Sequence, residues 1–249
     1  MRIAKYLAHA GVASRRAAEN LIIQGRVKIN GQVVTELGAR INEKQDRIEV
    51  NGQMVALEPK IYVLLYKPAN YLSSVKDPYY RSTVLDLLKN ISVRIYPVGR
   101  LDYDTEGLLL LTNDGEFTNL MLHPRYKIRK KYEVWVKGSL EREKLGQLKK
   151  GVVLEEGLTS ADRVDVIRQE KDRTLVEITI HEGRKRQVKR MMQALGKPVL
   201  HLKRTGFAFL TLQGLKAGEY RELVDYEVAE LIRLARGEIE HNQERINRR

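Results

Sequence analysis

The chain of 249 residues contains no cysteine. That one absence excludes disulfides, thiol nucleophiles and cysteine-ligated zinc or iron–sulfur centres. No stretch approaches the ~18 apolar residues of a membrane span, and Met1-Arg2-Ile3-Ala4-Lys5-Tyr6 opens no signal-peptide apolar run. A soluble, cytoplasmic protein is expected. Glycine-rich phosphate loops are missing: there is neither Gly-x-x-x-x-Gly-Lys nor Gly-x-Gly-x-x-Gly. The five histidines (9, 123, 181, 201, 241) show no metal-ligand spacing, and His123 before Pro124 reads as a helix-end residue. Low-complexity tracts and repeats of 20–50 residues are also absent.

What is present is positive charge. There are 45 Lys+Arg against 32 Asp+Glu, a formal charge of +13, which favours a polyanionic partner through counterion release. With 43% hydrophobic and 31% charged residues, a buried core is expected rather than wholesale disorder.

Residues 1–50 read as a compact unit. Ile3, Tyr6, Leu7 and Ala10 recur at helical spacing and Gly11 stops them. Ser14 is a candidate N-cap for a second helix carrying Ala17, Leu21 and Ile22, ended by Gly25. Asn30-Gly31, between Arg26-Val27-Lys28-Ile29 and Gln32-Val33-Val34, predicts a type I′ hairpin, and Asn51-Gly52 repeats the signal more weakly. Nine basic residues against five acidic ones leave this segment at a net +4.

A larger region follows. Strand patterns fall at 61–66, 93–98, 107–112, 130–137, 161–168, 173–181 and 198–203, and helical ones at 115–122, 140–149, 184–195 and 222–236. That mixture predicts an α+β fold with a long mixed or antiparallel sheet and flanking helices. The domains are expected at 1–58 and 59–236, with a charged tail at 237–249.

Asp102, Asp104 and Glu106 stand at alternating positions in Val98-Gly99-Arg100-Leu101-Asp102-Tyr103-Asp104-Thr105-Glu106-Gly107, between apolar strands. Carboxylates beside an anionic ligand need a reason, since burying them costs free energy. Three readings are open: a solvated, capping turn, a magnesium site of a nuclease, or one carboxylate doing chemistry on a nucleotide while its neighbours hold the loop.

Two resemblances bear on this. The helix–helix–hairpin order of residues 1–50, with Ser14-Arg15-Arg16 opening the second helix and Gly25-Arg26-Val27-Lys28-Ile29-Asn30-Gly31 after it, resembles the small RNA-binding domain first defined in a small-subunit ribosomal protein, the S-four motif. It implies RNA contacts by Arg15, Arg16, Arg26 and Lys28. Further on, Gly99-Arg100-Leu101-Asp102 with Thr105-Glu106-Gly107-Leu108-Leu109 resembles the signature loop of RNA pseudouridine synthases of the RsuA/RluB type. Lys67-Pro68, Lys130-Lys131-Tyr132-Glu133-Val134 and Glu182-Gly183-Arg184-Lys185-Arg186-Gln187-Val188-Lys189-Arg190-Met191 follow in the family's order. One departure is Asn70, where many relatives have glycine; Asn also tolerates the left-handed region, so the turn survives.

The second resemblance implies an isomerase that converts uridines of ribosomal RNA to pseudouridine, with large-subunit rRNA favoured and no cofactor or metal; a monomer is expected. By the same resemblance Asp102 is the catalytic carboxylate and Lys189 pairs with it; a cation within about 4 Å would keep the carboxylate ionised. Tyr132 matches the family's active-site tyrosine, Arg100 either fills the space of an extruded base or clamps a phosphate, and Asp104 and Glu106 support the loop. Arg129, Lys130, Arg184 and Arg186 belong to basic runs suited to tracking an RNA backbone. A non-catalytic RNA-binding or ribosome-assembly factor and a metal-dependent nuclease are the alternatives.

Overall fold

The computed structural model describes residues 1–238, so residues 239–249 of the expected tail lie outside the described residues. Two compact units form: one from 1–61 with segments 90–95 and 113–115, the other from 62–89, 96–112 and 116 onward.

In the first unit, α1 (Ile3–His9) and α2 (Arg15–Ile23) precede β1 (Val27–Ile29), β2 (Gln32–Val34), β3 (Ile48–Val50) and β4 (Gln53–Met54). Ser14 Oγ accepts the Ala17 N–H at 3.2 Å, satisfying one of the donors that a helix start leaves open. Asn30-Gly31 and Asn51-Gly52 have φ of 52°/82° and 52°/80°, the left-handed pair that a type I′ turn requires. The strands pair antiparallel in the order β2-β1-β3-β4. Ile3, Leu7, Ala18, Ile22, Val27 and Ile48 are buried between helices and sheet. Truncating such a side chain as Leu7 to alanine typically costs ~2–5 kcal/mol, a large share of a small unit's stability.

The second unit contains β5 (Tyr62–Lys67), β6 (Tyr96–Pro97), β7 (Glu106–Thr112), α3 (Gly115–Leu122), β8 (Lys130–Lys137), α4 (Arg142–Lys150), β9 (Val152–Leu154) and β10 (Gly157–Thr159). After them come β11 (Arg163–Gln169), β12 (Arg173–Ile180), α5 (Gln187–Ala194), β13 (Val199–Phe207), β14 (Leu210–Thr211), β15 (Tyr220–Glu222) and α6 (Asp225–Arg236). Nine of the strands make one sheet, ordered β11-β12-β8-β13-β7-β5-β15, with β14 on β13 and β6 on β7. All its pairings are antiparallel except β13 with β7. The fold is α+β, with a long mixed sheet.

Val63, Leu64 and Leu65 of β5 and Leu108–Leu111 of β7 are buried without alternation, as expected of central strands covered on both faces. Leu64, Leu108, Leu110, Phe117, Met121 and Leu231 form one core cluster that joins these strands to α3 and α6. In β8 burial alternates: Lys130, Tyr132, Val134 and Val136 face inward.

Several boundaries differ from the sequence expectation. The strand expected at 93–98 shrinks to Tyr96–Pro97, because residues 90–95 belong to the first unit and only the residues after them run along β7. The helix expected from 184 starts at Gln187, since Arg186 adopts φ +50° and holds the preceding basic run in a turn. The hairpin β9–β10 was not anticipated. Among the described residues, no helix is long and apolar enough to cross a membrane.

Candidate active site

The loop from Gly99 to Thr105 joins β6 to β7 and is held from two sides. Lys67, at the end of β5 and fully buried, donates to the carbonyls of Thr105 (2.7 Å), Pro68 (3.0 Å), Asp102 (3.1 Å) and Tyr103 (3.4 Å). Burial drives its pKa down to about 8; Asp104, Asp102 and Glu106 pull it back up, and Lys189 pushes it further down. The segment after β5 grips the same loop: the Asn70 N–H donates to Tyr103 O at 2.7 Å, and Ser73 Oγ bonds both the carbonyl (2.9 Å) and the N–H (3.0 Å) of Leu101. Asn70 has φ +66°, so the turn accepts Asn where a glycine would also fit.

Where β7 begins, Gly107 lies against β13. A Cβ there would stand 2.2 Å from the Arg204 carbonyl oxygen at φ +120°, so only glycine fits. This close approach lets the loop end against the parallel β13–β7 pair.

The loop carboxylates face the first turn of α5. Asp102 Oδ2 lies 3.9 Å from both Lys189 Nζ and Arg186 Nη1. Asp104 Oδ1 lies 2.5 Å from Lys189 Nζ and 3.8 Å from Arg186 Nη1. Lys189 is thus shared, and its nearer partner is Asp104, not Asp102 as the simple pairing expected. Burial raises the Asp104 pKa, but its hydrogen bond from Lys189 and the charges of Lys189 and Arg186 outweigh that and hold it below the usual carboxylate range. Glu106 turns away, with Oε1 3.1 Å from His201 Nε2 on β13, so it braces the neighbouring strand instead of the loop. The three acids therefore do not converge, and no group of three or more His, Asp or Glu side chains among the described residues could hold a metal.

Asp102 opens onto a cavity of about 600 Å³, bounded by Val98, Leu101, Ile180, Leu202 and Phe207 with the polar side chains of Arg100, Tyr132 and Arg204. Tyr132 is 9% exposed and stands directly across the strand pair from Arg204, so both side chains share one face of the sheet. Arg100 is exposed at the cavity's edge and makes no hydrogen bond or ion pair with a described residue.

Other residues singled out in the sequence separate into two groups. Arg15 and Arg16 are exposed on α2, Arg26 is exposed but bonded through Nε to Asn51 Oδ1 at 2.6 Å, and Lys28 is half-buried in β1. Arg129 is half-buried and Arg186 exposed. Two residues do not sit on an exposed track. Lys130 is buried and donates to His181 O at 2.8 Å, because the inward phase of β8 carries it under the sheet face. Arg184 is committed to the β9–β10 hairpin, donating to the carbonyls of Gly157 and Leu158 (both 2.8 Å) and pairing with Glu182 at 2.9 Å. Lys67 and Arg204 were missed as site residues; their signal was a cation next to an apolar strand run.

Comparison with known proteins gives the family. Residues 61–194 match the RNA pseudouridylate synthase family, and residues 1–48 match the S4 domain. The chain belongs to the RNA pseudouridylate synthase family, and it is an isomerase that acts on RNA. Among its relatives, the ribosomal large subunit pseudouridine synthase B of Bacillus subtilis (strain 168) is 52% identical, over 94% of this chain and 96% of its own. An uncharacterized RNA pseudouridine synthase of Aquifex aeolicus (strain VF5) is 47% identical over 94% of each chain. A crystal structure of a pseudouridylate synthase aligns with TM-score 0.66 at 29% identity, covering 93% of this chain and 99% of that one.

Proposed function

We propose that the protein converts uridine of large-subunit ribosomal RNA to pseudouridine in the cytoplasm, acting as a monomer, with Asp102 as its catalytic carboxylate. The observation that carries this reading is Asp102 in the lining of a cavity that Tyr132 also lines, with Lys189 within 4 Å of its carboxylate. The choice of large-subunit RNA rests on the Bacillus subtilis relative.

The reaction breaks the bond from ribose C1′ to N1, turns the base, and joins C1′ to C5. No atom is lost and nothing is oxidised, so the chemistry asks for no cofactor. It asks for an anionic oxygen near C1′, as in glycosidic cleavage, where charge on the sugar must be compensated. Lys67 fixes the carbonyl of Asp102 itself, and Lys189 with Arg186 flanks the carboxylate. Tyr132 offers a ring on which the uracil stacks, and the unattached Arg100 fills the gap that an extruded base leaves, at a cost of a few kcal/mol for unstacking. Ile180, Leu202 and Phe207 supply the apolar part of the lining, on the side where water must be kept from the separated fragments, which hydrolysis would turn into an abasic site. Arg15, Arg16, Arg26 and Lys28 hold the RNA through the S4 domain, while Arg129 and Arg186 follow its backbone near the cavity.

The test is to map pseudouridines in large-subunit rRNA from cells with and without the protein, and to repeat the mapping with Asp102→Asn. The expected result is one or more positions that lose modification in both cases, with RNA affinity of the purified variant unchanged. Modification that persists with Asp102→Asn would overturn the assignment.

A further inference from the structure

Two buried cations in the cavity wall have no carboxylate partner among the described residues. Lys130 and Arg204 are 6% and 4% exposed. Arg204 donates from Nε to the Leu108 carbonyl at 2.7 Å, while its Nη2 is buried with no hydrogen-bond partner among the described residues. Lys130 Nζ uses one bond, to His181 O at 2.8 Å. Both lie beside the Phe207 ring, with Lys130 Nζ 5.8 Å and Arg204 Cζ 5.6 Å from its centroid. Both line the cavity, and both share a sheet face with Tyr132: Arg204 opposite it and Lys130 two residues before it. A buried cation without a counter-charge is costly, and a guanidinium with an unmade bond more so. Burial first, and then the neighbouring Arg204, depress the Lys130 pKa to about 8, with Asp162 opposing them.

We propose that Lys130 and Arg204 form an anion subsite for the uracil ring, receiving the charge that its carbonyl oxygens acquire when C1′–N1 breaks. This rests on the pseudouridine synthase reading and names the groups that stabilise the leaving base. The electron pair of C1′–N1 goes to N1 and spreads onto O2 and O4, while the Asp102 carboxylate compensates the deficit at C1′. After the base turns, the C5 pair forms C5–C1′, the C5 proton leaves, and N1 gains a proton. Fixed donors that are themselves buried act where that charge develops, and there they are worth far more than in water. A backbone phosphate is a poorer fit, because the two cations are buried beside an aromatic ring on the face where the base stacks. Exposed Arg186 is the better phosphate partner.

The test uses full-length protein and a large-subunit rRNA transcript labelled with tritium at C5 of uridine, which is released to water as the product forms. With Arg204→Met or Lys130→Met, single-turnover release should fall about 10²–10³-fold while RNA affinity and its salt slope stay within about threefold. Arg204→Lys covers the case in which the methionine variant does not fold, and should lose about tenfold in rate. A transcript carrying 4-thiouridine releases a weaker base and, read by mapping the product, should recover part of that loss. Equal loss on both transcripts, an unchanged rate, or a loss confined to affinity and salt slope would overturn the subsite. A wild-type protein that releases no tritium overturns the function and the subsite together. Release by wild type that the Arg204 variants match overturns the subsite alone.

Discussion

Replacing Lys67 tests whether the loop carrying Asp102 must be pinned from beneath. The ammonium reaches four carbonyls, three of them at 3.1 Å or less, and two of these belong to Asp102 and Thr105. Charged hydrogen bonds are worth ~1.5–3 kcal/mol each, but methionine also removes a buried charge whose desolvation offsets much of that gain. The net loss of stability for Lys67→Met should be about 2–4 kcal/mol. The loop then moves relative to the cavity, and a displacement near 1 Å lowers the rate by about 10²-fold. The pH dependence sharpens the test. With its pKa lowered to about 8, folded Lys67 loses its proton well before an unfolded lysine does at 10.5. Its contribution to stability is therefore present above the unfolded value and is lost as pH falls through about 8. The loop grip runs the other way: the neutral amine has one donor fewer, so turnover should decline as pH rises through about 8 while stability does not. Lys130 titrates in the same range, so the assignment comes from the difference between wild type and Lys67→Arg, whose guanidinium stays charged. Tritium release across pH 6–10, a window set about that pKa, with a thermal melt at each pH, is the assay. Lys67→Met at wild-type rate, or identical pH profiles for wild type and Lys67→Arg, would refute the reasoning.

Asp104→Asn removes the nearest partner of Lys189, which can then turn fully to Asp102; a loss of about tenfold in kcat is expected, and one as deep as that of Asp102→Asn would contradict separate roles. Gly107→Ala places a Cβ 2.2 Å from a backbone oxygen. It should cost about 3 kcal/mol and lower the melting temperature by roughly 6–12 °C, which calorimetry will read. Arg15→Ala and Arg16→Ala should each reduce the salt slope of RNA binding by about one, with kcat at saturating RNA unchanged, as measured by filter binding from 50 to 200 mM salt.

The sequence was most legible where structure is decided locally. The two Asn-Gly pairs, Ser14 as a cap, the helix Gly115–Leu122 and the alternating strand Lys130–Lys137 are each written in a few adjacent residues. It was least legible where pairing is non-local. Strands β14 and β15 are two and three residues long and exist only through their partners, and the parallel pairing of β13 with β7 joins segments nearly a hundred residues apart. The site divides in the same way. Asp102 and Tyr132 lie in recognisable motifs and come to one cavity. Lys67 lies in a motif too, but it read as the end of a strand, because three of the four carbonyls that hold it lie 35 or more residues away. Arg204 falls just past the strand expected at 198–203, yet β13 runs on to Phe207 and its alternation sends Arg204 inward. For Arg186 the left-handed backbone, which a side chain of that kind does not announce, decides where it points.

The placement of these cations explains how a binder of polyanions keeps carboxylates at its centre. Asp102 and Asp104 face Lys189 and Arg186 across 2.5–3.9 Å, and Lys67 lies beneath the same loop. Three cations against two acids leave the loop region positive, so an approaching phosphate is not repelled by Asp102. The arrangement also assigns the acids different work. Asp104, the more exposed at 57% of its side chain against 28% for Asp102, holds the shared lysine. Asp102 is left with longer contacts at 3.9 Å, and a carboxylate that is steered but not fully hydrogen-bonded by its cations keeps the free lone pairs that the proposed role at the sugar requires.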